Sequence, residues 1–586
     1  MFSKIYLSIF FSLFLLVSAN AQKREAGKYE SVFSGYVRSN YTAKPIIGAT
    51  VYFKSLGKGT ATNIDGYFEM IVPNGTFQIQ FGSVGMGTEV MVLDIIKDLS
   101  VTVELKETTL NLDEVTVFAE KQDANVKSLD VGKTELDISK INQIPSFMGE
   151  PDVIKGLMLL PGVTTVGEGA SGFNVRGGSV DQNLILQDGA LIFNPSHVFG
   201  FFSVFNAAVV KNVSLYKSGI PSKYGGRLSS VLSVDLKEGN MKEFKAEGGV
   251  GLVSSKLAIS TPLVKDKLAL IVGGRVSYAD WMLKQAKSLQ VKKSTADFQD
   301  VNAKLTYSIN DNNKVSLSSY VSNDGFGLAS DTTFSWTTIN NVLNWNHIID
   351  EESGFIVNAV KGSYGYNIQD EVGLDAFTLK SKIDYEKINF DYERQMSLRS
   401  NLFIGAEFIH YQFKPGHRKA LGEKSGVKEV ILETEQSREF GVYAENEFNI
   451  NERLSIRAGL RYNMFQNVGA GMDYIYGDNG PRNVENLIDS VQYGKGDIIA
   501  QYQGLEPRMN VNYELSTSSS LKMSYNRTRQ NLHLISNTAA VSPTDIWKTS
   551  NKYIEPEVGD QFSLGYFRNF KDNSIETSIE AYYKQG

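Results

Sequence analysis

The stretch Leu454-Ser455-Ile456-Arg457-Ala458-Gly459-Leu460-Arg461-Tyr462-Asn463-Met464 alternates without interruption. Successive side chains of a β-strand point to opposite faces, so this is a strand with one apolar face and one face carrying Ser455, Arg457, Arg461 and Asn463. Met509 to Leu515 repeats the pattern, with Met509, Val511, Tyr513 and Leu515 opposite Asn510, Asn512 and Glu514. Val301 to Ile309 sets Asn302, Lys304, Thr306 and Ser308 against an apolar face. A water-soluble antiparallel sheet alternates in the same way, so periodicity alone leaves the solvent of the apolar face open.

The connections decide it. Short turns (Val264-Lys265-Asp266-Lys267, Asn310-Asp311-Asn312-Asn313, Asp350-Glu351-Glu352-Ser353, Asn449-Ile450-Asn451-Glu452, Lys571-Asp572-Asn573) alternate with longer polar stretches, the longest being Asn467 to Gly504 and another His533 to Val558. That rhythm belongs to an outer-membrane β-barrel with tight turns on one side and long loops on the other. A closed barrel is the one sheet whose backbone groups are all satisfied in lipid. Tyr462, Phe465, Tyr566 and Phe567 are expected in its interfacial girdles. About fifteen strands are legible, an odd number. Single-chain bacterial barrels have even numbers, so the sequence is expected to be truncated, with about seven strands missing from a barrel of about 22.

Composition bounds the rest. The chain has 586 residues, with 59 Lys+Arg against 65 Asp+Glu, 52 Gly, 28 Tyr, 33 Phe and no Cys. The near balance of charge argues against a nucleic-acid partner. Absence of Cys excludes disulfides, thiolate zinc sites, a Cys nucleophile and a lipid-modified N-terminal Cys. Lys4, the apolar run Ile5 to Val17 and the small residues Ala19-Asn20-Ala21 lay out a secretory signal peptide ending at 21.

From about Ser31 to Lys106 short alternating runs surround Gly turns such as Asn63-Ile64-Asp65-Gly66 and Pro73-Asn74-Gly75, the signature of hairpins in a small β-sandwich. A calcium loop at Asn63-x-Asp65-Gly66 lacks oxygen ligands at its first and twelfth positions, Ala61 and Val72. Pro45-Ile46-Ile47-Gly48-Ala49-Thr50-Val51, Gly59-Thr60-x-Thr62, Asp65-Gly66-Tyr67-Phe68 and Val84-Gly85 resemble the carboxypeptidase regulatory-like domain at the N-terminus of many Bacteroidetes outer-membrane receptors. That module is non-catalytic.

The middle region, about Asp123 to Glu238, has a short helix expected over Val153 to Leu160, ended by Pro161-Gly162, then Gly-punctuated strands. Asp152-Val153-Ile154-Lys155-Gly156-Leu157, Leu160-Pro161-Gly162-Val163, Phe173-Asn174-Val175-Arg176-Gly177-Gly178, Leu184-Ile185-Leu186-Gln187-Asp188-Gly189, Val213-Ser214-Leu215-Tyr216-Lys217-Ser218-Gly219 and Tyr224-Gly225-Gly226-Arg227 resemble, in order, the plug domain of TonB-dependent outer-membrane receptors. The expected fold is thus all-β dominated: an N-terminal β-sandwich, an α+β plug and a C-terminal antiparallel transmembrane β-barrel, incomplete in this chain. The boundaries read as signal peptide 1–21, linker 22–30, regulatory-like sandwich 31–106, linker 107–122, plug 123–240 and barrel 241–586. Gly167-x-Gly169-x-x-Gly172 fits a dinucleotide pattern, but the alternating Phe173 to Arg176 follows where a helix is required, so it is read as a plug loop.

The resemblance implies two plug loops that face the extracellular side and touch ligand. One carries Glu168 and Ser171; the other, Leu191 to Ser203, carries Asn194, His197 and Phe199. Packing against the barrel wall is an equal alternative for Phe199, Phe201 and Phe202. His197 has no second His nearby in sequence, so no metal site is read there. Arg176 and Arg227 are expected to pair with lumen carboxylates, polar contacts that hold a plug yet exchange with water. Leu112-Asp113-Glu114-Val115-Thr116-Val117 resembles a TonB box, a strand-former that can add to a partner's sheet; the other reading is the last strand of the preceding domain.

No catalytic elbow, zinc-protease motif or phosphate loop is present, so the chain is not read as an enzyme and no catalytic residue is assigned. The resemblance implies no cofactor. It implies a protein of the cell outer membrane, in contact with outer-membrane lipid and a nutrient ligand, driven by the inner-membrane TonB-ExbB-ExbD complex, with a surface lipoprotein as a further partner it admits. Import of a scarce nutrient too large for porins is the expected function, a ferric siderophore or similar chelate being favoured. A glycan or peptide importer, or a non-transport adhesin or surface-signalling receptor, are the alternatives.

Overall fold

The computed structural model describes residues 30–40, 44–54, 56–83, 86, 88–105, 123–144, 149–165, 167, 172–327, 332–477, 480–536, 542–571 and 573–586. The chain divides into two compact units, Met1–Asn111 and Leu112–Gly586.

In the first unit one sheet runs Tyr67–Pro73, Glu30–Ser39, Leu99–Leu105, and a second runs Lys58–Ala61, Thr50–Phe53, Gly75–Gly82, Glu89–Ile95. The alternating apolar residues meet in one core, where Phe33 lies edge-on to Phe53 at 5.5 Å and tilted on Phe68 at 5.3 Å. The Asn63 carboxamide oxygen accepts from the amides of Asp65 and Tyr67, and Gly66 takes φ 71°. That is an Asx-stabilised turn, which needs Gly at the left-handed position.

Among the described residues of the second unit fifteen antiparallel strands, from Lys245–Val250 to Ile575–Gln585, pair each with the next barrel strand, and the short strand Val430–Ile431 adds to Ser400–Ala420. Burial is inverted relative to a water-soluble sheet. Leu460 is 45% exposed while Arg461 is 0%; Met523 is 51% exposed while Lys522 is 1%. Leu317, Leu343, Ile388, Val442, Leu505 and Leu564 face out, and Asn302, Thr306, Asn340, Asn463, Asn512 and Ser524 face in. Exposed apolar rows over a buried polar lumen are stable only where the exterior solvent is lipid. Among the described residues no helix is long and apolar enough to cross a membrane.

The tight turns fall where the sequence puts them, with strands ending at Val264, Asn310, Asp350, Asn449 and Phe570. Two long connections are corrected. Leu454–Val468 and Ile498–Ser516 stay paired up to Val468 and Ile498, and the segment between them carries its own hairpin, Gly471–Tyr476 with Leu487–Tyr493. Gln501 falls in the stretch read as loop, yet it is a paired strand residue whose side chain accepts from Gln466 of the facing strand at 2.8 Å. The strands continue past the apolar band, where their outer face no longer has to be apolar. The second connection likewise begins after Gln530, ends before Glu557, and holds the hairpin Leu532–Ile535 with Ile546–Thr549. The girdle expectation is also corrected in part. Phe465 and Phe567 are buried in the lumen. Each is an odd number of residues from its outward Tyr, so the pleat turns it to the other face.

Within unit two, the plug is a five-stranded sheet in the order Ala190–Leu191, Asn183–Gln187, Ser230–Leu236, Val210–Tyr216, Lys133–Leu136. The helix Val153–Met158 packs on it through Val153, Leu157, Val213 and Leu215. Asp152 caps the helix by accepting from the Lys155 amide at 3.0 Å. The helix stops two residues short of the expected Leu160, before the Pro161-Gly162 turn, where Gly162 takes φ 78°.

Candidate functional site

The plug meets the lumen wall through shared apolar clusters and through polar groups of the wall that grip its backbone. Along 217–223 the carbonyl of Lys217 accepts from Gln561 at 2.9 Å, that of Gly219 from Asn510 at 3.2 Å, that of Pro221 from Arg508 at 2.5 Å and that of Lys223 from Arg461 at 3.3 Å. The Ser222 amide donates to Glu445 at 2.8 Å. Arg508 is paired with Glu506 at 2.8 Å, and Arg461 with Glu407 at 2.6 Å. Buried cations are tolerated here because each has a carboxylate and a carbonyl at once. Lower down, Arg457 joins Asp130 of the plug at 2.7 Å and Glu447 at 2.5 Å. Burial raises the Asp130 carboxyl, but the charges of Arg457 and Lys133 outweigh it and hold the group below the usual carboxylate range.

Arg176 is nearly buried and reaches Glu580 at 2.6 Å and Ser563 at 3.1 Å, with its guanidinium 4.9 Å from the Tyr582 ring centroid. Its backbone takes φ 49°, and its amide donates to the Gly162 carbonyl at 2.7 Å. Among the described residues, Arg227 does not reach a lumen carboxylate by hydrogen bond. Its guanidinium donates to the Gly226 carbonyl at 2.8 Å and lies 5.2 Å from the ring centroid of Trp547.

Trp547 belongs to the inward excursion between Gln530 and Glu557. That excursion is tied to the plug by Gln530, which donates to Asp181 at 3.1 Å, and to the wall by Asn531, which donates to Glu439 at 3.1 Å, and by Lys548 paired with Glu435. Phe193 of the plug stands edge-on to Trp547 at 5.4 Å and stacks on Tyr364 at 6.1 Å. The Tyr364 hydroxyl donates to the Pro543 carbonyl at 2.5 Å. A cleft between plug and excursion is lined by Phe193, Asn194, Arg227, Tyr364, Ser542 and Trp547. It offers aromatic faces, one guanidinium and amide groups, a combination suited to an anionic aromatic compound or to a sugar ring.

The loop Leu191 to Ser203 is docked against the wall. Its Leu191 amide donates to the Tyr385 hydroxyl at 2.8 Å, and its carbonyl accepts from Asn340 at 3.1 Å. Asn194 bonds within the loop, donating to the Ser196 carbonyl at 2.8 Å, and borders the cleft. His197 is fully buried between Asp324 at 2.8 Å and Asp300 at 3.1 Å. It has no surface for a ligand in this conformation, and both ring nitrogens are engaged. Phe199 packs among Phe326, Phe334 and Trp336 of the wall at 4.8, 5.6 and 5.1 Å. Phe202 packs on Phe298 at 5.3 Å, and Phe201 is exposed. Glu168 and Ser171, and the segment Leu112, Asp113, Glu114, Val115, Thr116, Val117, lie outside the described residues. Among the described residues no group of His, Asp and Glu is arranged to hold a metal ion.

Sequence reading did not find Arg508, Gln561, Asn510 or Glu445 as plug-holding residues. Alternation marks them only as inward, and nothing local tells which inward residue meets a plug backbone group more than 200 positions away. Trp547 was hidden in a stretch read as loop.

Comparison with known proteins follows the same division. Residues 33–117 match the CarboxypepD_reg-like domain, 141–230 the TonB-dependent Receptor Plug Domain and 266–585 the TonB dependent receptor-like beta-barrel. The TonB-dependent receptor SusC of Bacteroides thetaiotaomicron is 26% identical over 249 residues, 40% of this chain and 23% of SusC. The chain is thus aligned with less than a quarter of the length of that relative. A mutant of the ferric enterobactin receptor PfeA of Pseudomonas aeruginosa superposes with a TM-score of 0.56 at 14% identity, covering 79% of this chain and 72% of that one. The copper transporter OprC gives 0.58 at 10%, covering 78% and 73%. At these identities the two structures establish a shared fold.

Proposed function

The chain belongs to the TonB-dependent receptor family of the outer membrane, and from that premise we propose that it binds a scarce nutrient at the mouth of its barrel and imports it on a pull from TonB. The observation that carries this reading is the polar grip on 217–223. A segment held by hydrogen bonds and ion pairs, as 217–223 is, can be shifted, because each broken contact is replaced by one to water. An apolar seam of the same area would resist, since exposing it costs about 25 cal/mol per Å². The outer membrane has no energy source of its own, so a tether to an inner-membrane motor, the TonB-ExbB-ExbD complex, supplies the work through Leu112 to Val117.

A ferric siderophore or similar chelate suits the chemistry of the cleft lining once plug and excursion part to admit it, with Arg227 supplying positive charge and Phe193, Tyr364 and Trp547 supplying flat faces. The same aromatic faces beside Asn194 suit an oligosaccharide, the second reading, for which a surface lipoprotein would be a natural partner. The chain acts as a receptor and transporter with no chemical step of its own. Growth on ferric chelates or on glycans as sole source, in strains with and without TonB, separates these readings from one another and from a non-transport adhesin or signalling receptor. Growth that needs this protein but not TonB sinks the import mechanism. Ligand-dependent protection of Leu191 to Ser203 places the ligand at the cleft.

A further inference from the structure

His197 is the centre of a buried charge cluster that joins plug and barrel. Nδ1 faces Asp324 at 2.8 Å and Nε2 faces Asp300 at 3.1 Å. An ionised carboxylate can only accept, so two carboxylates on the two ring nitrogens require both to carry a proton, which is the imidazolium form. The ring is stacked flat on Phe298, with centroids 4.3 Å apart and planes 6° apart. From the barrel side, Arg275 pairs with Asp300, with Glu150 at 2.9 Å, and with the Ser203 carbonyl at 2.9 Å. Glu150 also accepts from Ser254 at 2.7 Å. Asp152, near Lys155, accepts from the Ser203 amide at 2.9 Å. Tyr320 faces Asp300 and Arg275, and Asp297 adds a further negative charge near Asp324. Around the ring, Asp300, Asp324 and Glu150 are therefore answered by one permanent cation, Arg275, and the imidazolium is the second.

The same Asp324 holds a strained turn. Its other oxygen accepts from the Val198 amide at 3.1 Å. Val198, Phe199 and Gly200 take φ 49°, 53° and 96°, three consecutive residues in the left-handed region. For Gly200 this is ordinary; for a β-branched Val and a Phe it is strained and persists only where the surroundings enforce it.

We infer that the protonated His197 is a positioning residue, a latch that pins the plug loop 196–203 to the strands Thr295–Asn310 and Asn313–Gly327 and keeps its strained turn in place. Removing the proton leaves one ring nitrogen as an acceptor facing a carboxylate. It also leaves Asp300 and Asp324 to repel across the ring, and the turn is then free to relax toward solvent. The latch rests on the import reading only for its use in plug movement; its existence is a property of the folded chain alone.

The test is hydrogen–deuterium exchange of the full chain in detergent micelles, corrected for the intrinsic pH dependence of exchange. Burial alone would lower the basicity of His197; the charges of Asp324 and Asp300 reverse this and raise its pKa to about 9. A pKa raised above that of the unfolded chain, about 6.5, stabilises the docked loop fully below that value and loses its effect as pH rises through about 9. Protection of 196–203 is therefore expected to fall about tenfold or more between about pH 7 and about pH 10, while that of Asn183–Gln187 stays constant. His197→Gln should show low protection and no pH step. Should that variant fail to insert, Asp324→Asn keeps an acceptor for the Val198 amide but removes a charge, and the step should move to lower pH. A flat profile in the parent protein, a step that survives in His197→Gln, or an unmoved step in Asp324→Asn each overturns the latch. Loss of nutrient uptake in a protein that keeps the step overturns the import reading and leaves the latch standing.

Discussion

The guanidinium of Arg176, in the plug, donates to the carboxylate of Glu580, in the strand Ile575–Gln585, across 2.6 Å. The contact joins two residues 404 positions apart and ties the plug to the wall at a point where the plug backbone is itself in a left-handed conformation, φ 49°.

Arg176→Ala is expected to loosen the plug. Ala shares the left-handed backbone strain of Arg, so what the substitution removes is the ion pair with Glu580, the bond to Ser563 and the guanidinium contact with the Tyr582 ring. Loss of charged hydrogen bonds of this kind costs about 1.5–3 kcal/mol. Cells carrying the variant should admit large antibiotics that the parent excludes, read as a lowered inhibitory concentration. Unchanged permeability would remove the role assigned to this contact.

Met523→Arg tests what lies outside the barrel. At an exposed site of a water-soluble sheet such a change stays within about 0.5 kcal/mol. In lipid it should destabilise the barrel by about 2–4 kcal/mol near the bilayer midplane. Urea unfolding of the protein reconstituted in vesicles measures the difference, and Met523→Leu serves as the neutral control.

Val115→Pro removes one backbone donor and fixes φ, which spoils strand addition to a partner. Normal insertion and ligand binding with uptake abolished is the expected result. Normal uptake would show that Leu112 to Val117 is not the TonB-contacting segment.

Trp547→Ala deletes the ring over Arg227 and the edge contact with Phe193. A cation–π contact of this geometry is worth about 0.5–2 kcal/mol, so the excursion between Gln530 and Glu557 should become more open to added protease on intact cells. Equal cleavage of parent and variant would mean that the excursion is anchored elsewhere, by Lys548 with Glu435 and Asn531 with Glu439.

Much of this was legible in one dimension. Leu460 and Arg461 declare opposite faces by adjacency, and the turn at Asp350 to Ser353 declares itself by its charges, because the pleat and the turn are local properties of the chain. The same rule, applied consistently, separates Phe465 from Tyr462 and Phe567 from Tyr566. Asn467 and Gln501 misled because polarity marks the end of lipid contact, whereas pairing ends only where the backbone leaves the ladder.

Residue order alone makes the C-terminal half a set of strands with an apolar and a polar side, preceded by a Gly-rich domain. Tertiary structure decided which polar side chain answers which backbone group: Gln561 the carbonyl of Lys217, Arg508 that of Pro221, Asp300 and Asp324 the ring of His197. Strand geometry fixes a direction for each side chain every two residues, but who stands opposite is set by the stagger of the strands and the seating of the plug. Those are sums over the whole sheet and are written in no single segment of the chain.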